Sequence, residues 1–345
     1  MNQPKMQIKL AFITGLREIV LQEIKKYSDL HIATVTENYI FLNFDEDLNK
    51  ITFLRSISRA FIVARDLRYT PRYISNHKSL LGNLILLILK NNSSAFKTFK
   101  ISCAGSDSSE VRSIANYIQN THGLIEKESA DLKIHIVKTD GTWELGVELT
   151  ARPLSSRDYK TLNMGGAMNP TIAFAVNSLC QLEKASSYLN IFSGSATLLI
   201  EAATSYPNLK KLVGFDNDKE SITLAIQNIK KAGLMRKIQL LGKDIFDNPD
   251  LGKFDAITAD LPFGMLISRN EDLEILYRTY VSYCQETLNP KGRMAIYTTK
   301  DELLIKIIQE SNFKIINTFD LELMTAANKH LHPKIFVCAF EVSPR

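Results

Sequence analysis

Strand-like and helical patterns alternate through the second half of the chain, and this alternation constrains the fold more than any other feature. From about residue 170, short apolar strand patterns are separated by helical ones. The strand patterns are ASSYLNI, LKKLVGFD, KIQLL, FDAITAD, GRMAIYTT, FKIINTFDLEL and KIFVCAFEV. Strands that alternate with helices predict a doubly wound α/β fold, here with a seven-stranded, mostly parallel sheet. Ligands of such sheets bind beyond the carboxyl ends of the strands, where the strand order reverses.

The first half of the chain follows a different plan. Strand, helix and paired-strand patterns follow one another from residue 7, and an Asp-Gly turn at residues 140–141 joins two further strands. This order predicts a smaller α+β region. The stretch ARPLSSRDYKTLNMGGAMNP, with two prolines and two glycines, is the best domain boundary. We therefore expect a linker at 151–168 and an α/β domain at 169–345.

Composition excludes several classes of protein. The chain has 345 residues, of which 45% are hydrophobic and 23% charged, as in ordinary globular proteins. The longest unbroken apolar run, Leu84 to Leu89, is much shorter than the roughly 20 residues that cross a bilayer, and the N-terminus lacks the apolar core of a signal peptide. We expect a cytoplasmic protein that does not bind membranes. The scattered cysteines predict reduced, mostly buried thiols, and His330 and His332 lack a third metal ligand nearby.

Basic residues cluster although the net charge is only +5. The segment from residue 55 to residue 72 contains five arginines and Asp66 as its one acid, and the linker adds further basic residues. Such clusters suit contacts with RNA phosphates. The predicted RNA-binding residues are Arg65, Arg68, Arg72, Arg152, Arg157 and Lys160.

Three features fall at the ends of successive predicted strands. The turn Ser193–Thr197 follows the first strand, and Gly194 allows a ligand to approach its backbone. Asp216 ends the second strand, 22 residues after Gly194, a spacing that suits a carboxylate holding a ribose. Asp244 follows the third strand, where it can meet the edge of an adenine. A dinucleotide site would need a G-x-G-x-x-G turn, and this turn has one glycine.

Two segments resemble known motifs. NIFSGSATLLIEAA is similar to the first motif of S-adenosylmethionine-dependent RNA methyltransferases, and ADLPFG to their fourth motif. Segments of the first half, RSISRAFIVARDLRY and DLKIHIVKTDGTWELGVELTARPLSSRDYK, resemble the ferredoxin-like and THUMP portions of the THUMP-domain tRNA guanosine N2-methyltransferases. Two residues depart from the first motif: Asn190 stands where the family has aspartate, and Ala196 where it has glycine.

The resemblance implies a ferredoxin-like domain at 1–60, a THUMP RNA-binding domain at 61–150 and a Rossmann-like methyltransferase domain at 169–345. It implies S-adenosylmethionine as cofactor, no metal, and methylation of a tRNA guanosine at position six or ten. The implied cofactor-binding residues are Asn190, Ser193, Gly194, Ser195, Thr197, Asp216, Asn217, Asp244, Ile245 and Asp260.

The fourth motif suits an exocyclic amine. The lone pair of such an amine is delocalised into the base, so the enzyme must align it with the methyl donor. We expect Asp260 and the backbone carbonyl next to Pro262 to accept the N–H bonds of the amine, and Asp260 to receive its proton. Phe263 offers a flat face on which the base can stack. The predicted catalytic residues are Asp260, Pro262 and Phe263.

Other readings remain open. The nearest enzyme alternatives are an rRNA guanine N2-methyltransferase and a methyltransferase acting on a protein amide or a DNA amine. Asn190 and Ala196 motivate a third, a non-catalytic RNA-binding protein with a degenerate cofactor site. The sequence leaves open the tRNA species, the number of methyl groups and the need for a small activating protein; a monomer is favoured. Tyr277, Tyr280 and Tyr283 recur at helical spacing and are predicted to lie in the core.

Overall fold

The computed structural model describes residues 6–44, 47–66, 78–91, 95–139, 142–160, 167–262, 273–324 and 330–341. The chain divides into two compact units. The first comprises Met1–Phe12 and Val20–Ser155, and the second comprises Ile13–Ile19 and Ser156–Arg345. The division after Ser155 falls inside the segment predicted as a linker.

The first unit contains one eight-stranded sheet, with the order β2-β3-β1-β4-β8-β7-β5-β6. Its strands are β1 (Met6–Ala11), β2 (Ile32–Val35), β3 (Tyr39–Asn43), β4 (Arg59–Asp66), β5 (Thr98–Cys103), β6 (Ile125–Glu126), β7 (Leu132–Thr139) and β8 (Thr142–Glu148). Strand β4 pairs with β1 on one side and with β8 on the other. The expected boundary between residues 60 and 61 therefore lies within a strand, and the two expected N-terminal parts share one sheet. Their assignment as ferredoxin-like and THUMP modules stays a prediction.

Four helices belong to the first half of the chain: α1 (Arg17–Ile24), α2 (Asn49–Thr52), α3 (Lys78–Asn91) and α4 (Ser109–His122). The apolar sides of α3 and α4 join the inward residues of the sheet in one buried cluster. The Ser108 side chain caps the start of helix α4 by accepting a hydrogen bond from the Val111 N–H. The helix ends before Gly123, which has a φ of 67° and so adopts a left-handed conformation that a right-handed helix cannot include. The burial of one face of each helix follows from its amphipathic pattern.

The second unit contains a seven-stranded sheet, with the order β11-β10-β9-β12-β13-β17-β14. The strands are β9 (Ser187–Ile191), β10 (Lys211–Asp216), β11 (Ile238–Gly242), β12 (Phe254–Asp260), β13 (Leu288–Thr298), β14 (Phe313–Asp320) and β17 (Lys334–Phe340). Five neighbouring strands, from β11 to β13, are parallel, and β17 runs antiparallel to both β13 and β14. The prediction of a seven-stranded, mostly parallel sheet is confirmed. A separate strand pair is formed by β15 (Leu323–Met324) and β16 (His330–Leu331).

Helices cover both faces of this sheet. They are α5 (Pro170–Leu179), α6 (Thr197–Ser205), α7 (Lys219–Lys231), α8 (Leu273–Thr287) and α9 (Asp301–Gln309). Successive residues of a strand enter different apolar clusters: Tyr188 belongs to one and Leu189 to the other. The alternation follows from the two-residue period of a strand, and it makes the fold doubly wound. Helix α5 begins with Asn169 as its cap and Pro170 in its first turn.

The structure also confirms two smaller predictions, on the cysteines and on the tyrosines of α8. Cys180, Cys284 and Cys338 are buried free thiols, and Cys103 is a partly buried one. The rings of Tyr277, Tyr280 and Tyr283 lie in the core, as the helical spacing predicts. Among the described helices, none combines the length and the apolarity that spanning a bilayer requires.

Candidate active site

The strand order of the second unit reverses between β9 and β12. From β9 the chain proceeds to β10 on one side, and β12 pairs with the other side of β9. Because these strands are parallel, the turn that follows β9 and the residues that follow β12 meet at one edge of the sheet. The carboxyl edge at such a reversal is where ligands of doubly wound sheets bind.

The turn after β9 is tightly bent and open on one side. Phe192, Gly194 and Ala196 all have positive φ angles, of 57°, 49° and 64°. A Cβ atom added to Gly194 would meet nothing within 4 Å, so the turn leaves room for a ligand. Ala196 adopts the left-handed conformation that glycine takes without strain, at a cost of about 1 kcal/mol. The backbone of Ala196 is therefore strained, but the turn has the same left-handed conformation that a glycine would adopt there.

Asp216 links this turn to the next strand. Its Oδ2 accepts the Gly194 N–H at 2.8 Å, and its Oδ1 accepts the Asp218 N–H at 3.0 Å. Burial raises the pKa of its carboxyl group. The backbone N–H of Asn217 bonds to the same carboxylate, and because a carboxylate offers about four acceptor positions, one remains for a ligand. The structure thus brings Gly194 and Asp216 together, as their spacing predicts.

Asp244 and Asn217 form a second linked pair. The Asn217 amide donates to Asp244 Oδ2 at 2.8 Å, and the Phe246 N–H donates to Asp244 Oδ1 at 3.0 Å. Asn217 and Asp244 also line a shallow surface depression of about 520 Å³. Ile245 is buried beneath. Phe246, which the sequence did not single out, leaves half of its side chain exposed in the same turn.

The other hydroxyl groups of the turn bond within the protein. Ser193 Oγ donates to the Asn190 carbonyl at 3.0 Å, and the Ser195 and Thr197 hydroxyls lie 3.2 Å apart. All three side chains are buried. They shape the turn, and their direct contact with a cofactor stays a prediction.

The Asn190 side chain does not lie where its position in the first motif predicts a contact with the cofactor. Its side chain is fully buried between β9 and β12, opposite Thr258. Its amide donates to the Thr258 carbonyl at 3.1 Å, and its Oδ1 has no hydrogen-bond partner among the described residues. The residue lies in the middle of the sheet because its strand continues for one residue more before the turn. Asn190 therefore contacts the protein and does not line the open edge.

Asp260 ends β12 at the same edge as the Gly194 turn. No described residue donates a hydrogen bond to its carboxyl group, and burial raises its pKa to about 7. A carboxyl group with this pKa exchanges its proton near neutral pH, which suits a general base. Asp260 is thus the strongest candidate for proton transfer among the described residues.

The turn after Asp260 is held at two points. The Leu261 N–H donates to the Tyr297 carbonyl at 3.0 Å, and the Pro262 carbonyl accepts the Tyr277 hydroxyl at 3.2 Å. The Leu261 carbonyl receives no hydrogen bond from the described residues. Of the two carbonyls next to this proline ring, that of Leu261 is therefore the more available acceptor for a substrate N–H, because one lone pair of the Pro262 carbonyl is already engaged. Phe263 lies outside the described residues.

The predicted RNA-binding residues separate into three groups. Arg65 is 39% exposed and forms an ion pair with buried Glu144 at 2.6 Å. Arg152 is exposed, whereas Arg68 and Arg72 lie outside the described residues. Arg157 and Lys160 turn inward, which corrects their prediction as phosphate contacts. The Arg157 side chain is 10% exposed and pairs with Glu201, and Lys160 Nζ donates to the Met168 carbonyl at 3.0 Å. Burial lowers the pKa of Lys160.

Metal ligands do not gather anywhere in the described ranges: no group of three or more His, Cys, Asp or Glu side chains there could hold an ion. His330 instead lies 3.2 Å from Glu322.

Several known proteins are similar to the chain in sequence. The tRNA (guanine(6)-N2)-methyltransferase of Thermus thermophilus is 32% identical over 161 residues, which are 46% of this chain and 48% of that protein. The mouse U6 snRNA (guanine-N(2))-methyltransferase THUMPD2 is 25% identical over 59% of this chain and 39% of its own length. The chain thus spans about half or less of these two curated relatives. The tRNA (guanine(6)-N2)-methyltransferase of Archaeoglobus fulgidus is 19% identical over 87% of this chain and 85% of its own.

The fold has solved counterparts. The crystal structure of TrmN from Thermus thermophilus superposes with a TM-score of 0.80 and 20% identity, covering 97% of this chain and all of that one. At this identity the likeness establishes the fold alone. The family model of the UPF0020 RMKL-like methyltransferase domain matches residues 157–328, which include the whole site described above. Residues 157–328 are thus an RMKL-like methyltransferase domain.

Proposed function

We propose that the chain transfers a methyl group from S-adenosylmethionine to the exocyclic N2 amine of a guanosine in tRNA, at position six or ten. The observation that carries the proposal is Asp260. It is a partly buried carboxyl group that receives no hydrogen bond from the described residues, and it lies at the strand-order reversal beside the Gly194 turn. Its acceptor positions are therefore available to the N–H groups of a substrate.

The residues at this edge fit the cofactor. The open space beside Gly194 allows a ligand to approach the backbone, and the Asp216 carboxylate keeps an acceptor position that suits a ribose hydroxyl. The hydrogen-bonded pair of Asn217 and Asp244 follows the next strands along this edge, where Asp244 can meet the edge of the adenine. When bound, S-adenosylmethionine supplies a methyl group already activated by its sulfonium. The chain itself therefore needs to supply alignment and a proton acceptor.

Asp260 and Leu261 supply both. The Asp260 carboxylate and the Leu261 carbonyl each accept one N–H of the amine, which leaves the nitrogen lone pair directed at the methyl carbon. Methylation would place positive charge on the amine nitrogen, and the leaving group would be the neutral thioether of the cofactor. Asp260 stabilises that charge and receives the released proton, directly or through water.

The choice of tRNA as substrate rests on the relatives. Two of the three relatives described above are named for the N2 position of guanosine six in tRNA. Arg65 and Arg152 keep exposed side chains that suit phosphate contacts. The main alternative is another RNA, because the mouse relative is named for U6 snRNA and a Vibrio parahaemolyticus relative, 23% identical, for ribosomal RNA. A cytoplasmic location, a monomeric state and a small activating protein stay proposals.

The decisive experiment uses tRNA, rRNA and U6 snRNA from cells that lack the gene. The purified chain is incubated with each RNA and labelled S-adenosylmethionine, and the modified nucleoside is mapped by mass spectrometry. We expect N2-methylguanosine in tRNA. Calorimetry with S-adenosylhomocysteine separates an enzyme from a protein with a degenerate cofactor site, since only the enzyme binds it.

Asp260→Ala tests the mechanism. We expect this variant to lose methyl transfer while it still binds tRNA and S-adenosylhomocysteine. Asp107→Ala serves as the matched control, because Asp107 is an exposed aspartate of the first unit. Near-normal turnover in Asp260→Ala would remove the proposed role of this carboxyl group.

A further inference from the structure

The three tyrosines of α8 bury their rings in the same core but send their hydroxyls to different partners. The Tyr277 hydroxyl donates to the Pro262 carbonyl at 3.2 Å and lies 2.7 Å from Thr298 Oγ1. The Tyr283 hydroxyl donates to the Pro249 carbonyl at 2.8 Å, away from the turn after β12. The Tyr280 hydroxyl has no hydrogen-bond partner among the described residues. One tyrosine of the set thus reaches the substrate side of the site.

The hydrogen bonds around Tyr277 form a chain with a fixed direction. The Lys300 N–H donates to Thr298 Oγ1 at 3.0 Å, and a backbone N–H can only donate. The Pro262 carbonyl at the other end can only accept. Each hydroxyl carries one hydrogen, so Thr298 donates to Tyr277 and Tyr277 donates to Pro262. Bonds that point the same way along such a chain polarise and strengthen one another.

The two hydroxyl groups of this hydrogen-bond chain are shielded from water and keep their protons. Thr298 and Tyr277 are both fully buried. Burial raises the pKa of Tyr277 to about 12, so the hydroxyl remains a donor across the physiological range. Removing the hydroxyl would leave the Thr298 hydroxyl without its acceptor inside the protein, and nothing nearby in the described residues replaces the bond to Pro262.

We propose that Tyr277 is a positioning residue for methyl transfer. Tyr277 fixes the Leu261–Pro262 turn through the hydrogen bonds that join Thr298, Tyr277 and Pro262. With the Pro262 carbonyl held by Tyr277 and the Leu261 N–H held by the Tyr297 carbonyl, the peptide between them cannot rotate freely. The Leu261 carbonyl is thereby kept beside Asp260, where both can accept from one amine. This inference rests on the proposed function, and it names the residue that sets the geometry of the acceptor pair.

The test compares Tyr277→Phe, Tyr283→Phe and Tyr280→Phe in the full chain. Tyr283→Phe loses one hydrogen bond to a proline carbonyl, whereas Tyr277→Phe loses such a bond and the bond from Thr298, so we expect both variants to lower Tm and Tyr277→Phe to lower it more. Only Tyr277→Phe should lower kcat, by about tenfold or more, with KM for RNA and the affinity for S-adenosylhomocysteine within about twofold of the unchanged chain. Tyr280→Phe should leave both stability and kcat unchanged.

Thr298 gives a conservative rescue. Thr298→Val removes the hydroxyl that links Tyr277 to Lys300, so it should lower kcat as much as Tyr277→Phe does. Thr298→Ser keeps the hydroxyl and should have the kcat of the unchanged protein. Because both residues act through one path, the double variant Tyr277→Phe with Thr298→Val should lose no more kcat than either single variant.

A measurement without turnover keeps the inference separate from the proposed function. Hydrogen exchange of the Leu261 amide should accelerate in Tyr277→Phe and stay unchanged in Tyr283→Phe. If the unchanged chain methylates no guanosine, the proposed function fails, and the exchange comparison still decides whether Tyr277 holds the turn. Equal exchange in the two variants would overturn the inference, as would equal losses of kcat.

Discussion

Replacing Arg157 by alanine should destabilise the second unit instead of weakening its affinity for RNA. The Arg157 Nε lies 3.2 Å from Glu201 Oε1, and the Glu201 side chain is fully buried. The Tyr159 hydroxyl donates to the same carboxylate oxygen at 2.8 Å. Removing Arg157 leaves a buried carboxylate without its charged partner. Breaking a buried ion pair in this way costs about 3–5 kcal/mol, and the remaining Tyr159 bond favours the lower value of about 3 kcal/mol.

Thermal unfolding measures this loss. For a unit of this size, each kcal/mol changes Tm by about 2–4 °C, so we expect Arg157→Ala to melt about 6–12 °C lower. Arg157→Ala combined with Glu201→Gln should lose less stability than Arg157→Ala alone, because no unpaired charge stays buried. Arg152→Ala is the control: its side chain is exposed, and its Tm should stay within about 1 °C of the unchanged chain.

The competing interpretation makes the opposite prediction. If Arg157 contacts a phosphate, its removal should leave Tm unchanged and reduce the salt dependence of RNA binding by about one counterion. That combination of results would refute the structural role derived from the Glu201 pair.

Three further predictions concern polar residues of the neighbouring strands β9, β10 and β12. Because the folded pKa of Asp260 is raised to about 7, the folded chain loses stability as the pH rises from about 4 to about 7, by up to about 4 kcal/mol. The advantage of Asp260→Asn over the unchanged chain in urea unfolding should therefore grow by up to that amount between pH 4 and pH 8, and a constant difference would contradict it. Asn190→Asp places a buried carboxylate against the Thr258 carbonyl, so it should lose about 3 kcal/mol at pH 8 and less at pH 4, where the acid can donate; equal losses at both pH values would contradict this reasoning. Asp216→Ala should reduce the affinity for S-adenosylhomocysteine about tenfold or more in calorimetry, and unchanged affinity would exclude the ribose contact.

Periodicity predicted the second unit well because it reports burial, and burial in a doubly wound sheet repeats with the elements. The spacing between Gly194 and Asp216 was informative because parallel pairing of β9 and β10 brings their ends together. That periodic pattern does not show which individual polar side chains are buried. Asn190 and Arg157 have ordinary sequence surroundings, and only their neighbours in space, Thr258 and Glu201, show that they face inward.

Two other features needed the structure for similar reasons. The shared strand β4 was not visible because sheet order depends on pairing between distant segments. The spacing of the α8 tyrosines correctly predicted core rings, but a helical period contains no information on hydroxyl partners. The difference between Tyr277 and Tyr283 therefore appears only when Pro262 and Pro249 are placed around them.

Strand β17 has a consequence for synthesis of the protein on the ribosome. It is the last strand of its sheet in chain order, yet it lies between β13 and β14. Until β17 has emerged from the ribosome, β13 has an unpaired edge, and β14 has no partner in the sheet. Unpaired edges of nascent domains are sites of misassociation and of chaperone binding. Any fragment that stops before Lys334 should consequently accumulate in inclusion bodies, although it contains Gly194, Asp216 and Asp260.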